Sequence, residues 1–270
     1  MSESAVALLG AGRYRTVLFD LDGTVYIDGK ALPGVPAFVE EARRAGHRVG
    51  FLTNMSYRSR EWCLDVLHQV QVEAKPDELI TTVDVMVEVL RSRGMKKVAA
   101  IGSDEFRSQL SRAGVQVGDL LAGPIHDPDA LVVGMWPGAS RESIAAAVGL
   151  ISNAVPVFAT SGVGSLPTSN GLVSGAAGIV RRLREGSGMP VTITGKPGRL
   201  FSDVVKRRLD LVDPVLVVGD TIEVDIVMAD SNGWDSLLVL TGASSDHQAQ
   251  AMTGGGGPTY VARTLDDVEM

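Results

Sequence analysis

Four places in the sequence set carboxylates, hydroxyls and one amine directly behind short apolar runs. TVLF (16–19) runs into Asp20, with Asp22, Gly23 and Thr24 after it; RVGFL (48–52) runs into Thr53 and Asn54; VTIT (191–194) runs through Gly195 into Lys196; VLVVG (215–219) runs into Asp220, with Asp225 beyond. Two carboxylates two residues apart, followed by a Gly-Thr turn, can face one crevice, where one attacks while the other handles protons. On a phosphate ester, a carboxylate nucleophile makes an aspartyl-phosphate that water then hydrolyses, so one hard step becomes two easier ones. A phosphate dianion repels such a nucleophile unless a cation intervenes. Asp20, a carbonyl oxygen near Asp22 and Asp220 offer the hard oxygen ligands and open water positions that Mg²⁺ prefers, and the ion would neutralise charge and orient the phosphoryl group. Thr53 adds a hydroxyl, Asn54 amide and backbone donors, and Lys196 a compact positive charge. Donors fixed where charge develops are usually the largest catalytic term. Singly, a strand-end Thr53 or Asp220 reads as a helix N-cap; the four sites in this order are far more specific.

The elements that must position these groups follow from hydrophobic period. Besides the four runs above, KVAAIG (97–102), ALVVGM (130–135), PVFAT (156–160) and SLLVL (236–240) read as strands. Between most of them lie helical faces: Val35, Phe38, Val39 and Ala42; Trp62, Val66 and Val70; Phe106 and Leu110; Ile144, Val148 and Ile151; Phe201, Val205 and Leu209. Strands that are apolar throughout, alternating with helices, predict an α/β fold with parallel sheets covered on both faces. In such sheets ligands bind outside the carboxyl ends of the strands, which is where the polar groups stand. Asp20 and Thr53 are one strand–helix–strand unit apart, as are Lys196 and Asp220, but the interval between Thr53 and Lys196 is far longer and carries strands of its own. An inserted α/β domain over the crevice is therefore expected, with a Rossmann-like doubly wound parallel-sheet core at 12–80 plus 191–270 and the insert at 81–190. Such a cap would exclude water and supply substrate contacts. Asp28-Gly29 between apolar flanks predicts a two-residue hairpin beside the site.

Composition narrows the partners. The 270 residues, 45% of them apolar and 21% charged, suit a soluble globular protein of two domains or of one with a large insert. Twenty-five Lys and Arg against 32 Asp and Glu give a net charge of −7, so no general basic field exists for nucleic acid or anionic lipid. A lone cysteine, Cys63, excludes an intrachain disulfide and fits a reducing, cytoplasmic setting. The N-terminus lacks the positive region of a secretory signal, and no apolar run reaches the length of a membrane span.

At FDLDGTVY (19–26), TN (53–54), GKP (195–197) and GDTIEVD (219–225) the chain resembles the haloacid dehalogenase-like phosphohydrolases, with all four motifs in order. The insert length, ALPGVPAFVEEARRAGH (31–47), LPTSNGLVSGAAG (166–178) and DSLLVLTG (235–242) resemble the subfamily with the large α/β cap, which includes nitrophenylphosphatases, phosphoglycolate and pyridoxal phosphatases and NagD-like enzymes. The resemblance covers nearly the whole chain. It implies an Mg²⁺-dependent phosphatase of small phosphate monoesters, with Asp20 as nucleophile and Asp22 as general acid/base. Thr53 and Lys196 would bind phosphate beside Asn54, and Asp20, the Asp22 carbonyl and Asp220 would hold Mg²⁺. Asp225 would be a further carboxylate near the metal or Lys196, and the chain would form a homodimer through the cap. The sequence departs from the subfamily pattern at Met55, at Ser161 and Val163, and at Trp136, each less polar than the usual residue; this implies a leaving group unlike the common sugar and glycolate esters. The competing reading is a weakly active or inactive phosphoester-binding or regulatory protein with an altered cap, against which Asp20, Asp22, Lys196 and Asp220 argue. A receiver domain, also built on a strand-end Asp, Thr and Lys, has no room for the insert, and phosphoryl transfer to an acceptor other than water stays open.

Other signals read as structural. Lys196 lacks the flanking residues of a P-loop, and GAGRYR (10–15) and GVGSLP (162–167) only partly echo a dinucleotide fingerprint. His126 with Asp127 and Asp129 reads as a polar loop, Cys63 as a buried apolar residue, and RRLRE (181–185) and KRRLD (206–210) as solvated helix faces. GGGG (254–257) reads as a loop. Trp136 could either stack on a substrate ring or pack the insert's core.

Overall fold

The computed structural model describes residues 13–121, 125–136, 139–152, 154–163, 165–168, 171–252 and 256–269. Six strands form one all-parallel sheet in the order Leu79–Thr81, Arg48–Thr53, Thr16–Asp20, Val215–Gly219, Asp235–Val239, Tyr260–Ala262. The chain builds outward from Thr16–Asp20 on one side, then returns to its other side with Val215–Gly219. That reversal opens a crevice at the carboxyl ends of these two strands. Side chains alternate across the sheet as a pleated strand requires. Val17 and Phe19 join Val49, Phe51, Leu216 and Val218 on one face, with the Phe19 and Phe51 rings stacked 5.9 Å apart; Leu18, Leu52, Val215 and Val217 serve the other face.

Helix Val35–Arg44 covers the first face with Val35, Phe38, Val39 and Ala42, all buried on the stripe that the sequence spacing predicts. Helix Arg60–Gln69 joins it through Cys63, Val66 and Leu67, and is capped by Ser59, whose Oγ accepts the Trp62 N–H at 3.1 Å. The Asp28-Gly29 hairpin forms as expected: Tyr26–Ile27 pairs antiparallel with Lys30–Ala31, and both turn residues take positive φ, 48° and 74°.

A second all-parallel sheet holds five strands in the order Thr192–Ile193, Val157–Ala159, Ala130–Val133, Lys97–Ile101, Gln116–Asp119. Helices Arg141–Ser152 and Ala176–Ser187 pack on one face. Helix Thr82–Ser92 lies between the layers, burying Val83, Val85, Met86, Val87, Val89 and Leu90 in a core that takes residues from both sheets. The chain crosses between the layers at Thr81–Thr82 and at Thr194–Gly195, and the crossings touch: the Thr82 hydroxyl donates to the Thr160 carbonyl at 2.9 Å and lies 3.4 Å from the Thr194 hydroxyl. Among the described residues no helix is long and apolar enough to cross a membrane.

Candidate active site

The crevice at the reversal gathers residues from all four sequence sites. Asp20 ends its strand and Lys196 arrives from the second crossing; the Lys196 Nζ ion-pairs with the Asp20 Oδ1 and donates to the Asp225 Oδ1 at 2.7 Å. Asn54 fixes the lysine's backbone from both sides, its Oδ1 accepting the Lys196 N–H at 2.7 Å and its amide donating to the Lys196 carbonyl at 3.0 Å. Thr53 does not cap a helix; its Oγ1 accepts the Met55 N–H at 2.9 Å and lies 3.5 Å from the Asp22 Oδ2. Asp22 is half-buried just past the strand end. Asp220 follows the neighbouring strand; its Oδ2 accepts the Ala243 N–H at 2.6 Å and its Oδ1 the Thr221 hydroxyl at 3.2 Å. Asp225 Oδ2 accepts the Thr221 N–H at 3.2 Å. All seven sequence-predicted site residues therefore line one cleft.

The electrostatics are those of crowded acids out of water. Burial, then the Asp20 charge, pushes the Asp22 carboxyl up to about 8. Burial also raises Asp225, and the Lys196 ammonium opposes it, leaving it at about 6. Asp220 is driven well above the usual carboxylate range by burial and by the charges of Asp20 and Asp225. Burial works against the Lys196 charge, but Asp20 and Asp225 outweigh it and hold the ammonium above its ordinary value.

Asp20, Asp220 and Asp225 each present a carboxylate oxygen within 4.8 Å of the others. Three buried carboxylates face one buried ammonium, a surplus of negative charge on hard oxygen donors that a small divalent cation would relieve. Asp225 already spends both oxygens on Lys196 and Thr221, which places it on the lysine side of the group.

Sequence reasoning missed the loop that holds Asp220. A side chain at Gly242 would bring its Cβ within 1.9 Å of the Asp220 Oδ2, so only glycine lets this loop present the Ala243 N–H. The strand-end rule contained the signal, because the loop follows the carboxyl end of Asp235–Val239. The apolar wall was also missed: Tyr57, Met135, Ala176 and Val224 line the cleft with Met55, Ser161 and Val163. Trp136 packs against the second sheet's core, and Asp129 accepts the N–H groups of Lys96 and Lys97 at 2.8 and 2.9 Å as a loop residue should. The first residues of GAGRYR and part of GGGG lie outside the described residues.

Comparisons with known proteins follow the same lines. Residues 17–116 match a family model described as haloacid dehalogenase-like hydrolase, and residues 193–268 one described as HAD-hydrolase-like. The sugar-phosphatase AraL of Bacillus subtilis is 27% identical over 256 residues, 93% of this chain and 91% of that protein. A glycerol phosphate phosphatase of Mycobacterium tuberculosis, solved in complex with magnesium, aligns with a TM-score of 0.80 at 26% identity over 95% of this chain and 76% of the other. A p-nitrophenyl phosphatase of Archaeoglobus fulgidus aligns with a TM-score of 0.83 at 25% identity, over 94% and 97% of the two chains.

Proposed function

The chain belongs to the haloacid dehalogenase-like hydrolases, and from that membership we propose that it is an Mg²⁺-dependent phosphatase of small phosphate monoesters, working through an aspartyl-phosphate. The observation that carries the reading is the Lys196–Asp20 ion pair, made inside the crevice by residues 176 positions apart. An ion pair this buried is costly to assemble, so a site that keeps one next to two further acids is a functional candidate.

Asp20 is the nucleophile. Its carboxylate bonds to phosphorus as the ester oxygen leaves on the opposite side, and that oxygen takes its proton from Asp22, whose raised carboxyl is protonated at neutral pH. Asp22, now a carboxylate, then takes a proton from water as water attacks phosphorus and frees Asp20. Thr53 and Lys196 hold phosphoryl oxygens, with Asn54 orienting Lys196 through its backbone. Asp20, the Asp22 carbonyl and Asp220 would hold Mg²⁺, which supplies charge neutralisation and orientation of the phosphoryl group. Asp225 positions Lys196. Residues 81–190 act as the cap over a core of 12–80 plus 194–270, with Thr192–Ile193 moved from the expected core to the cap because it pairs with Val157–Ala159 at the edge of the second sheet, and this cap supports a homodimer. The buried Cys63 thiol, pushed up to about 12 chiefly by burial, suits a reducing, cytoplasmic setting.

The test is phosphate release from a broad panel of esters with and without Mg²⁺, together with Asp20→Asn. Release that needs Mg²⁺ and disappears in the variant supports the reading; release untouched by the substitution refutes the nucleophile. Retained ester binding without turnover would favour the regulatory alternative. Sedimentation of the purified chain decides the dimer.

A further inference from the structure

Resting on the hydrolase reading, we propose that the cleft takes phosphate esters whose alcohol portion is uncharged and predominantly hydrocarbon, and discriminates against polyol, carboxylate-bearing and bisphosphate leaving groups. The carboxylates of the cleft stand at or just beyond the ends of two central strands of the first sheet, and Lys196 joins them from the crossing that follows Thr192–Ile193. The remainder of the wall is Met55, Tyr57, Met135, Val163, Ala176 and Val224. The cleft leaves about 90 Å³ for the centres of water-sized groups, several times the roughly 10–15 Å³ that one such group needs, so it has room for more than the phosphoryl group alone.

Apart from the Tyr57 hydroxyl, the polar side chains that interrupt this wall are already engaged with protein. Ser161 Oγ donates to the Val163 carbonyl at 2.7 Å, and Thr160 Oγ1 lies 3.5 Å from Ser56 Oγ, which itself accepts the Met135 N–H at 2.9 Å. The Asn54 amide is held by both backbone groups of Lys196, and the Thr221 hydroxyl is held by Asp220. A polyol entering here gives up water at several hydroxyls, and among the described residues of this wall only the Tyr57 hydroxyl stands ready to replace it; the rest is the costly half of a hydrogen bond. Charge points the same way. Among the described residues lining the cleft, Lys196 is the sole cation, and Asp20 and Asp225 already share it. A carboxylate or second phosphate on the leaving group would therefore meet acids and hydrocarbon with no counter-ion. Methylene groups, by contrast, leave water for apolar contact, each worth up to about fourfold in affinity when fully buried.

The experiment is kcat/KM, with Mg²⁺, for methyl, propyl and pentyl phosphate against glycerol 1-phosphate and phosphoglycolate. The alkyl leaving groups have closely similar acidity, so differences among them report the wall and not the bond broken. The expected result is a rise from methyl to pentyl of about tenfold or more, with pentyl phosphate at least about tenfold above glycerol 1-phosphate. In Met135→Gln the pentyl-to-methyl ratio falls at least about threefold; because this is a ratio within one protein, partial unfolding does not imitate it. A flat alkyl series, or glycerol phosphate or phosphoglycolate turned over as fast as pentyl phosphate, overturns the inference while leaving the hydrolase reading intact. If no ester is hydrolysed, 4-nitrophenyl phosphate included, the hydrolase reading falls and this inference falls with it.

Discussion

The two sheets are built by the same device and put it to different uses. Both are parallel throughout, and both reverse direction once: the first between Thr16–Asp20 and Val215–Gly219, the second between Lys97–Ile101 and Ala130–Val133. Each reversal should open a crevice at the carboxyl ends of its central strands. In the first sheet that crevice is lined by Asp20, Thr53 and Asp220. In the second it is closed by a phenyl ring. Phe106 is fully buried there, and Gly102 and Gly134, at the two central strand ends, lie so close to it that a Cβ on either would meet the ring at 2.2 and 2.8 Å. Topology thus supplies a place for chemistry, and side-chain choice decides whether it becomes a site or a core.

The largest effect expected from breaking this contrast falls on the open crevice. Asp20→Asn should lower phosphate release by about ten-thousandfold or more, as loss of a covalent nucleophile does, while circular dichroism shows the fold retained. An active variant would mean that the charged strand ends are not where the reaction occurs. At the closed crevice the same logic predicts a loss of stability instead. Phe106→Ala should cost about 3–5 kcal/mol by leaving a cavity in the core shared by the two sheets, read from the urea midpoint. A loss under about 1 kcal/mol would show that the second crevice does not depend on its plug.

The contrast also explains what the sequence made legible. Runs such as TVLF and VLVVG are central strands, apolar on both faces, and the polar residue ending each is conspicuous. Site residues that stand there were readable for that reason, across an insert of unknown shape. Five strands escaped reading: Leu79–Thr81, Gln116–Asp119 and Tyr260–Ala262 lie at sheet edges and, like Ser165–Thr168 and Gly171–Ser174, which pair with each other, run only three or four residues, too short to show a period. Helix Thr82–Ser92 was masked by its valines: Val83, Val85, Val87 and Val89 recur at every second position as in a strand, although Asp84, Glu88 and Arg91 form its less buried stripe. The plug at Phe106 and the wall at Tyr57, Met135 and Val224 were invisible for a different reason. An apolar residue facing a ligand and one facing a core look the same until the chain is folded.

A smaller effect is expected from the loop that steadies Asp220. In Gly242→Ala the added methyl would have to displace the Asp220 carboxylate, weakening the hold on the cation without removing any charged group. The Mg²⁺ concentration for half-maximal activity should rise by about tenfold or more, the range seen when the partners that orient metal ligands are lost. An unchanged Mg²⁺ requirement would mean that Asp220 is held mainly by the Thr221 hydroxyl or lies outside the metal group.

The smallest effect tests where the second sheet stops contributing. Met135 and Trp136 are neighbours just past the strand Ala130–Val133, yet Met135 lines the cleft and Trp136 packs with Ile125, Ala139 and Ile144 against the sheet's core. Trp136→Phe keeps an aromatic ring in that core and takes nothing from the cleft. Stability should fall by no more than about 1.5 kcal/mol, as for a conservative exchange of apolar residues, and the pentyl-to-methyl preference should stay within about twofold of the parent. A selective rise in KM for the longer ester would place the indole on the substrate, and the boundary between wall and core would then lie one residue further along the chain than the packing puts it.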